Sequence, residues 1–132
     1  MSALAGLREV VAPGSMLTSA TDLAVYSYDG TLSRARPDGV LVARSASDVR
    51  RAVSWCAANK VPFVARGAGT NLSGGCVPLR GGLVISLARM NRILSLDVAA
   101  RVACVEPGVV NLALQREAEK VGLFYAPDPA SL

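Results

Sequence analysis

Between Phe63 and Pro78 the chain reads FVARGAGTNLSGGCVP. Gly67, Gly69, Gly74 and Gly75 follow an apolar run and an arginine, Arg66, with Ala68, Thr70, Asn71, Leu72 and Ser73 between them. Glycine lets main-chain N–H groups approach an anion with no side chain in the way, and hydroxyls add further donors. Such a segment can hold a diphosphate largely by its backbone. The same residues also suit a plain turn between two strands, and spacing alone leaves both readings open.

Two well-known phosphate motifs do not fit. A dinucleotide fingerprint begins with Gly67 and Gly69, but Leu72 stands at its third glycine position. No helix opens there, and the ribose-binding acid expected about 20 residues on is replaced by LARMNR. Gly69 and Gly74 have the separation of a Walker A loop, yet Gly75 and Cys76 stand where lysine and a hydroxyl residue belong. Other chemistries are thinner still. The chain contains no histidine, the commonest general base and metal ligand. Cys56, Cys76 and Cys104 are far apart and form no C-x-x-C pair, which argues against zinc or thioredoxin-like chemistry.

The elements that must position this loop can be read on either side of it. VLVA (Val40 to Ala43) is short, apolar and β-branched, and predicts a buried strand. Ser45 and Asp48 then have capping-box-like spacing. Val49, Ala52, Val53, Cys56 and Ala57 recur at helical intervals, which places Cys56 in a core. Val61 to Ala65 predicts a second strand, so strand, helix and strand suggest a parallel pair joined by a right-handed crossover. The glycine loop opens at the carboxyl end of that strand, where open α/β sheets generally place ligands.

Leu83 to Leu87 predicts a third strand. ILSLDV and RVACVEPG predict an antiparallel pair turning around Ala99 to Arg101. VVNLALQREAEKVG predicts a helix with Leu114, Ala118 and Val121 inward and Gly122 as its stop. SALAGLREVVAPG predicts a short amphipathic helix ended by Pro13 and Gly14, and the stretch from TDLAVYSYDG to LSRARPDG is expected to be mostly irregular. No repeat, linker or domain boundary is visible, so residues 1–132 are expected to form one domain.

Composition narrows the class. The 132 residues are 52% hydrophobic and 18% charged, which excludes a disordered chain. Aromatics are only 5%, so the core must come from Val, Leu, Ala and Ile. The net charge of +4 comes mainly from scattered arginines that form no run, so a mildly basic surface is expected rather than a nucleic-acid interface. No apolar run is long enough to cross a bilayer and no leader is visible, and a soluble, cytoplasmic protein is the expectation.

VPFVARGAGTNLSGGCVP closely resembles the first FAD-binding motif of the flavoproteins related to vanillyl-alcohol oxidase and p-cresol methylhydroxylase. Within them it is most similar to the glycolate oxidase catalytic subunit and D-lactate dehydrogenase branch. The likeness covers roughly residues 20–131. RGAGT…SGG, MNRIL, VEPGV and PDP occur in the family's order.

The resemblance implies an α+β fold: a small mixed β-sheet with flanking helices, the first lobe of the p-cresol methylhydroxylase-type FAD-binding domain. It implies FAD as cofactor, with Ala65, Arg66, Gly67, Ala68, Gly69, Thr70, Asn71, Leu72, Ser73 and Gly74 around its diphosphate. Pro37 would contact the adenosine half, and Pro127 and Asp128 would approach the flavin side, with Tyr125 as a wall residue. The expected reaction is oxidation of a 2-hydroxy acid such as glycolate or D-lactate by hydride transfer to FAD. Other oxidase subunits or a second polypeptide are candidate partners. In the family, PDPSS runs on to a second glycine motif and a substrate domain. The chain is therefore expected to be the N-terminal part of such an enzyme, without catalytic groups of its own and not competent alone. The competing expectation is a non-catalytic nucleotide-binding or interaction module that pairs with a partner.

Overall fold

The structure is a computed structural model, and it describes residues 4–127. The chain forms two compact units, Met1–Arg89 and Met90–Leu132. No change of composition marks the junction, so the sequence shows no boundary there.

The first unit is a four-stranded sheet. Its elements are β1 (Met16–Leu17), α1 (Ala20–Val25), β2 (Gly39–Val42), α2 (Ala46–Ala58), β3 (Phe63–Arg66) and β4 (Leu83–Ser86). The strand order is β1-β2-β4-β3. β1 runs antiparallel to β2, whereas β2 and β3 both run parallel to β4. The two strands expected to pair across α2 are therefore not neighbours, because β4 lies between them. Val40 and Val64 both register with Val84. This row meets Leu23 of α1, with Leu17 and Tyr26 packed beside it. Successive strand residues point to opposite faces, so Leu41, Leu83 and Ile85 bury the other side. Burial on both faces is why VLV and LVIS read as continuous apolar runs rather than alternating ones.

α2 forms as the sequence predicts. Ser45 caps it by accepting from the Asp48 N–H (3.2 Å), and Ala52 and Cys56 are fully buried. Val49 and Val53 are half-buried, and Ala57, expected on the same face, is exposed. The segment expected to be irregular contains α1, capped by Ser19, whose hydroxyl oxygen accepts from the Asp22 N–H. Six residues are too few for a periodic pattern to show. The N-terminal helix is a tight 3-10 turn, Ala5–Glu9, in which only Leu7 is buried.

The second unit contains β5 (Ile93–Asp97), β6 (Val102–Val105) and α3 (Asn111–Glu119). β5 and β6 form the expected antiparallel hairpin, with Asp97 opposite Val102. Leu114 and Ala118 are buried, but Val121 is 42% exposed, against expectation. It falls beyond the last helical turn, where the Leu123 N–H bonds back to the Ala118 carbonyl and the Gly122 N–H to Glu119. That pair of bonds closes the helix.

Candidate functional site

β3 and β4 are parallel neighbours, so the chain between them must cross from one end of the sheet to the other. Residues 67–82 make this crossing without helix or strand. The glycine-rich stretch is the first half of the crossing and leaves the carboxyl edge of the sheet. Here the two readings of the loop separate, because what the fold demands of each residue is visible.

The loop is pinned to the segment around Asp29. Arg66, 7% exposed, donates from Nη1 to the Tyr28 carbonyl (2.5 Å), and the same nitrogen lies 3.4 Å from Cys76 Sγ. Its guanidinium also lies over the Tyr26 ring, 5.5 Å from the centroid. Asn71 is held twice: Nδ2 donates to Asp29 Oδ2 (2.8 Å), and its carbonyl accepts from the Gly30 N–H (3.1 Å). Cys76 Sγ sits 2.9 Å from Asn71 Oδ1. Asp29 Oδ1 accepts from the hydroxyl (2.6 Å) and the N–H (2.8 Å) of Thr31. The hydroxyl bond first, and then the N–H bond, hold the Asp29 carboxyl below its ordinary range against the opposing effect of burial. Asn71 and the charge of Arg66 add to this.

Gly69 has φ +77°, and a Cβ there would collide with the Arg66 guanidinium. Its glycine is required by the fold. Gly67 and Gly75 are different: neither has a positive φ, and a Cβ on either would meet no protein atom. Among the described residues, the main-chain N–H groups from Gly67 to Gly75 donate to no protein acceptor. The hydroxyls of Thr70 and Ser73 also have no protein partner there. The loop is rigidly strutted through Arg66, Asn71 and Cys76, while its row of donors and its bare glycines are left unspent. A group with phosphate oxygens fits this cradle, since glycines the fold does not need are the ones such a group would fill.

The remaining expected residues are placed as follows. Ala65 is the penultimate residue of β3, next to the loop, and Leu72 is exposed on the loop, 79% accessible. Arg66 acts as a strut beneath Gly69 rather than as a free cation at the surface. Pro37 is buried just before β2. Because β2 and β3 run the same way, Pro37 lies at the opposite end of the strands from the glycine loop, and the structure does not bring the two together. Pro127 belongs to the second unit, where its carbonyl accepts from Gln115 Nε2 (3.3 Å). Tyr125 lines a groove of about 600 Å3 in that unit, with Leu96, Leu114 and Phe124 among its walls. Asp128 lies outside the described residues. Sequence reasoning missed Asp29, Tyr28 and Tyr26, since none belongs to a local motif.

A strutted, glycine-bare cradle at the carboxyl edge of parallel strands is the arrangement of a nucleotide-binding lobe. A family model described as an FAD binding domain matches residues 37–132, and the chain belongs to that family, whose cofactor is FAD. The glycolate oxidase subunit GlcD of Bacillus subtilis is 42% identical over 127 residues, which is 96% of this chain and 27% of that protein. The D-2-hydroxyglutarate dehydrogenase of Stutzerimonas stutzeri is 39% identical, over 95% of this chain and 27% of its own length. For the D-lactate dehydrogenase of Anaerostipes hadrus the values are 40%, 82% and 22%. The chain thus spans about a quarter of the length of the curated relatives it matches.

Among solved structures, 4-ethylphenol oxidase from Gulosibacter chungangensis superposes with a TM-score of 0.82 at 26% identity, covering 97% of this chain and 26% of that one. p-Cresol methylhydroxylase superposes with a TM-score of 0.78 at 23% identity, covering 92% and 24%. These likenesses agree with the mixed sheet and flanking helices described above. Among the described residues, no helix is long and apolar enough to cross a membrane.

Proposed function

We propose that this chain supplies the diphosphate grip of an FAD-dependent oxidoreductase acting on a 2-hydroxy acid of the glycolate or D-lactate type. The observation that carries the proposal is the unspent row of N–H groups from Gly67 to Gly75 on a loop strutted from beneath. Arg66, Asn71 and Cys76 fix the loop's shape before any ligand arrives, so little ordering cost remains to be met on binding. The N–H groups from Gly67 to Gly75 and the hydroxyls of Thr70 and Ser73 donate to the diphosphate oxygens. The Arg66 charge, held beneath Gly69, adds a favourable field. When bound, FAD supplies the hydride-accepting chemistry, while the protein binds and orients. We assign no acid, base or substrate contact to the described residues. The hydroxy-acid substrate class rests on the names of the relatives.

A titration of desalted protein with FAD, followed by flavin fluorescence, tests this. Saturable binding that falls at least about tenfold in Gly67→Val, with an unchanged melting temperature, is expected, since a Cβ there meets no protein atom and would crowd the diphosphate instead. Equal binding by the variant would return the loop to a connecting turn.

A second reading, an interaction module completed by another polypeptide, is favoured by the groove of the second unit. Phe124 on its wall is 82% exposed. Sedimentation of the purified chain, alone and with candidate oxidase subunits, tests that reading.

A further inference from the structure

Among the pockets of the first unit that the reading above leaves unused, one lies at the sheet's carboxyl edge. It has a volume of about 270 Å3 and is open at the carboxyl edge of β2 and β4, between Val42 and Ser86. Leu17, Tyr26 and Val42 form its apolar side, and Arg44 and Arg89 stand at its rim. The glycine loop leaves β3, which is the next strand along the same edge, about 4.8 Å beyond β4.

Three features of this pocket call for a ligand. Ser86 is only 2% exposed, and its hydroxyl makes no hydrogen bond to the described residues. Among the described residues every side-chain oxygen sealed from solvent has a partner, so the unpaired Ser86 hydroxyl keeps only a small accessible area. A buried hydroxyl left in this way is the donor a bound group would use. The guanidinium groups of Arg44 and Arg89 have no carboxylate partner among the described residues. The carboxylate nearest in sequence, Asp48, is already committed to the Arg44 N–H (3.1 Å) and to Arg51 (2.6 Å). Tyr26 forms a wall here and also lies over the Arg66 guanidinium, so a third positive charge stands behind that wall. The volume is too small for a whole dinucleotide, since sites for drug-sized ligands run from about 300 to 1,000 Å3.

We propose that Arg44, Arg89 and Ser86 form a second anion site, separate from the glycine loop, that takes a phosphate group. Two unpaired guanidiniums match the charge of a phosphate dianion, and Ser86 donates from the floor. The site goes beyond the diphosphate reading and stands whether or not the loop binds FAD.

The test is an amide NMR titration of the intact chain with inorganic phosphate at constant ionic strength. Saturable shifts at Ser86, Ala88 and Arg89 are expected. They should be lost in Arg44→Gln/Arg89→Gln, whose remaining spectrum should match the parent because both side chains are on the surface. Ser86→Ala is the second variant, expected to weaken the response severalfold. Absence of saturable shifts at these amides, or equal shifts in the arginine variant, overturns the proposal. Repeating the titration in Gly67→Val should leave the phosphate response intact, which separates this site from the loop. Adding FAD distinguishes the source of the phosphate. Persistence of the response to inorganic phosphate means that a small free anion is the ligand and supports the site, whereas its loss means that the diphosphate of the nucleotide occupies these residues and overturns their separation from the loop.

Discussion

Asn71 Nδ2 donates to Asp29 Oδ2 at 2.8 Å, joining the glycine loop to a segment 42 residues earlier in the chain. The Asn71 carbonyl receives the neighbouring Gly30 N–H, so one residue of the loop is fixed through both its side chain and its backbone. A glycine-rich loop would otherwise lose much conformational freedom on binding a ligand. This pair keeps the loop in one shape beforehand.

Asp29→Asn should therefore weaken FAD binding severalfold and make the loop more mobile, because the charged acceptor of Asn71 and Thr31 is lost. It should also change the pH profile. The native carboxyl sits below its ordinary value of 3.8, so its contribution to stability is complete above that value. The contribution is lost as pH falls through the depressed native value. Melting temperatures measured from about pH 6 to pH 2 should fall less steeply in the variant than in the parent. Parallel curves would contradict this account of Asp29.

Arg92 and Glu106 form a comparable clamp in the second unit. Glu106, 8% exposed, accepts from the Arg92 N–H (2.8 Å) and guanidinium (2.7 Å), and its own N–H donates to the Arg92 carbonyl (2.9 Å). The guanidinium bond first, and then the backbone bond, hold the Glu106 carboxyl below 4.5 against the effect of burial. Glu106→Ala should speed hydrogen exchange in β5 and β6 while leaving β2 and β4 protected. Uniform loss of protection across both units would show that the clamp is not local.

Much of this was legible because local chemistry settled it. Ser45, Asp48 and the spacing of Ala52 and Cys56 specify α2 with no tertiary information, and alternation specifies β5 and β6. MNRIL and VEPGV were visible as separate motifs, but their meeting through Arg92 and Glu106 was not. The partners of β2 and β3 were not legible either. Strand order depends on which edge β4 reaches after the crossing, and no periodicity encodes that. Asp29 stayed hidden for a related reason: its signal is a contact across 42 residues, in a segment whose own composition reads only as a turn. Arg66 was found, but its direction was not, since a cation before a glycine loop reads equally as ligand or strut.

The cysteines should separate by reactivity. Cys56 is fully buried, and burial pushes its thiol above the ordinary 9.0; Cys76 is 5% exposed beneath the loop, and Cys104 is exposed. The thiolate is the reactive form, so iodoacetamide should label Cys104 first in the folded chain. Cys56 and Cys76 should label only with unfolding. Peptide mass spectrometry over a time course checks the order, and early labelling of Cys76 would mean that the loop opens readily.

Gly69→Ala should behave unlike any change at Gly67. The backbone at 69 lies at φ +77°, where an L side chain costs about 1–2 kcal/mol. The added Cβ would also displace the Arg66 guanidinium, and with it the bond to the Tyr28 carbonyl. Both effects act on the folded protein before any ligand is present. The melting temperature of the ligand-free variant should therefore drop by several degrees, and flavin affinity should fall with it. If Gly69→Ala melts like the parent, the Arg66 strut does not constrain the loop, and the preformed cradle loses its physical basis.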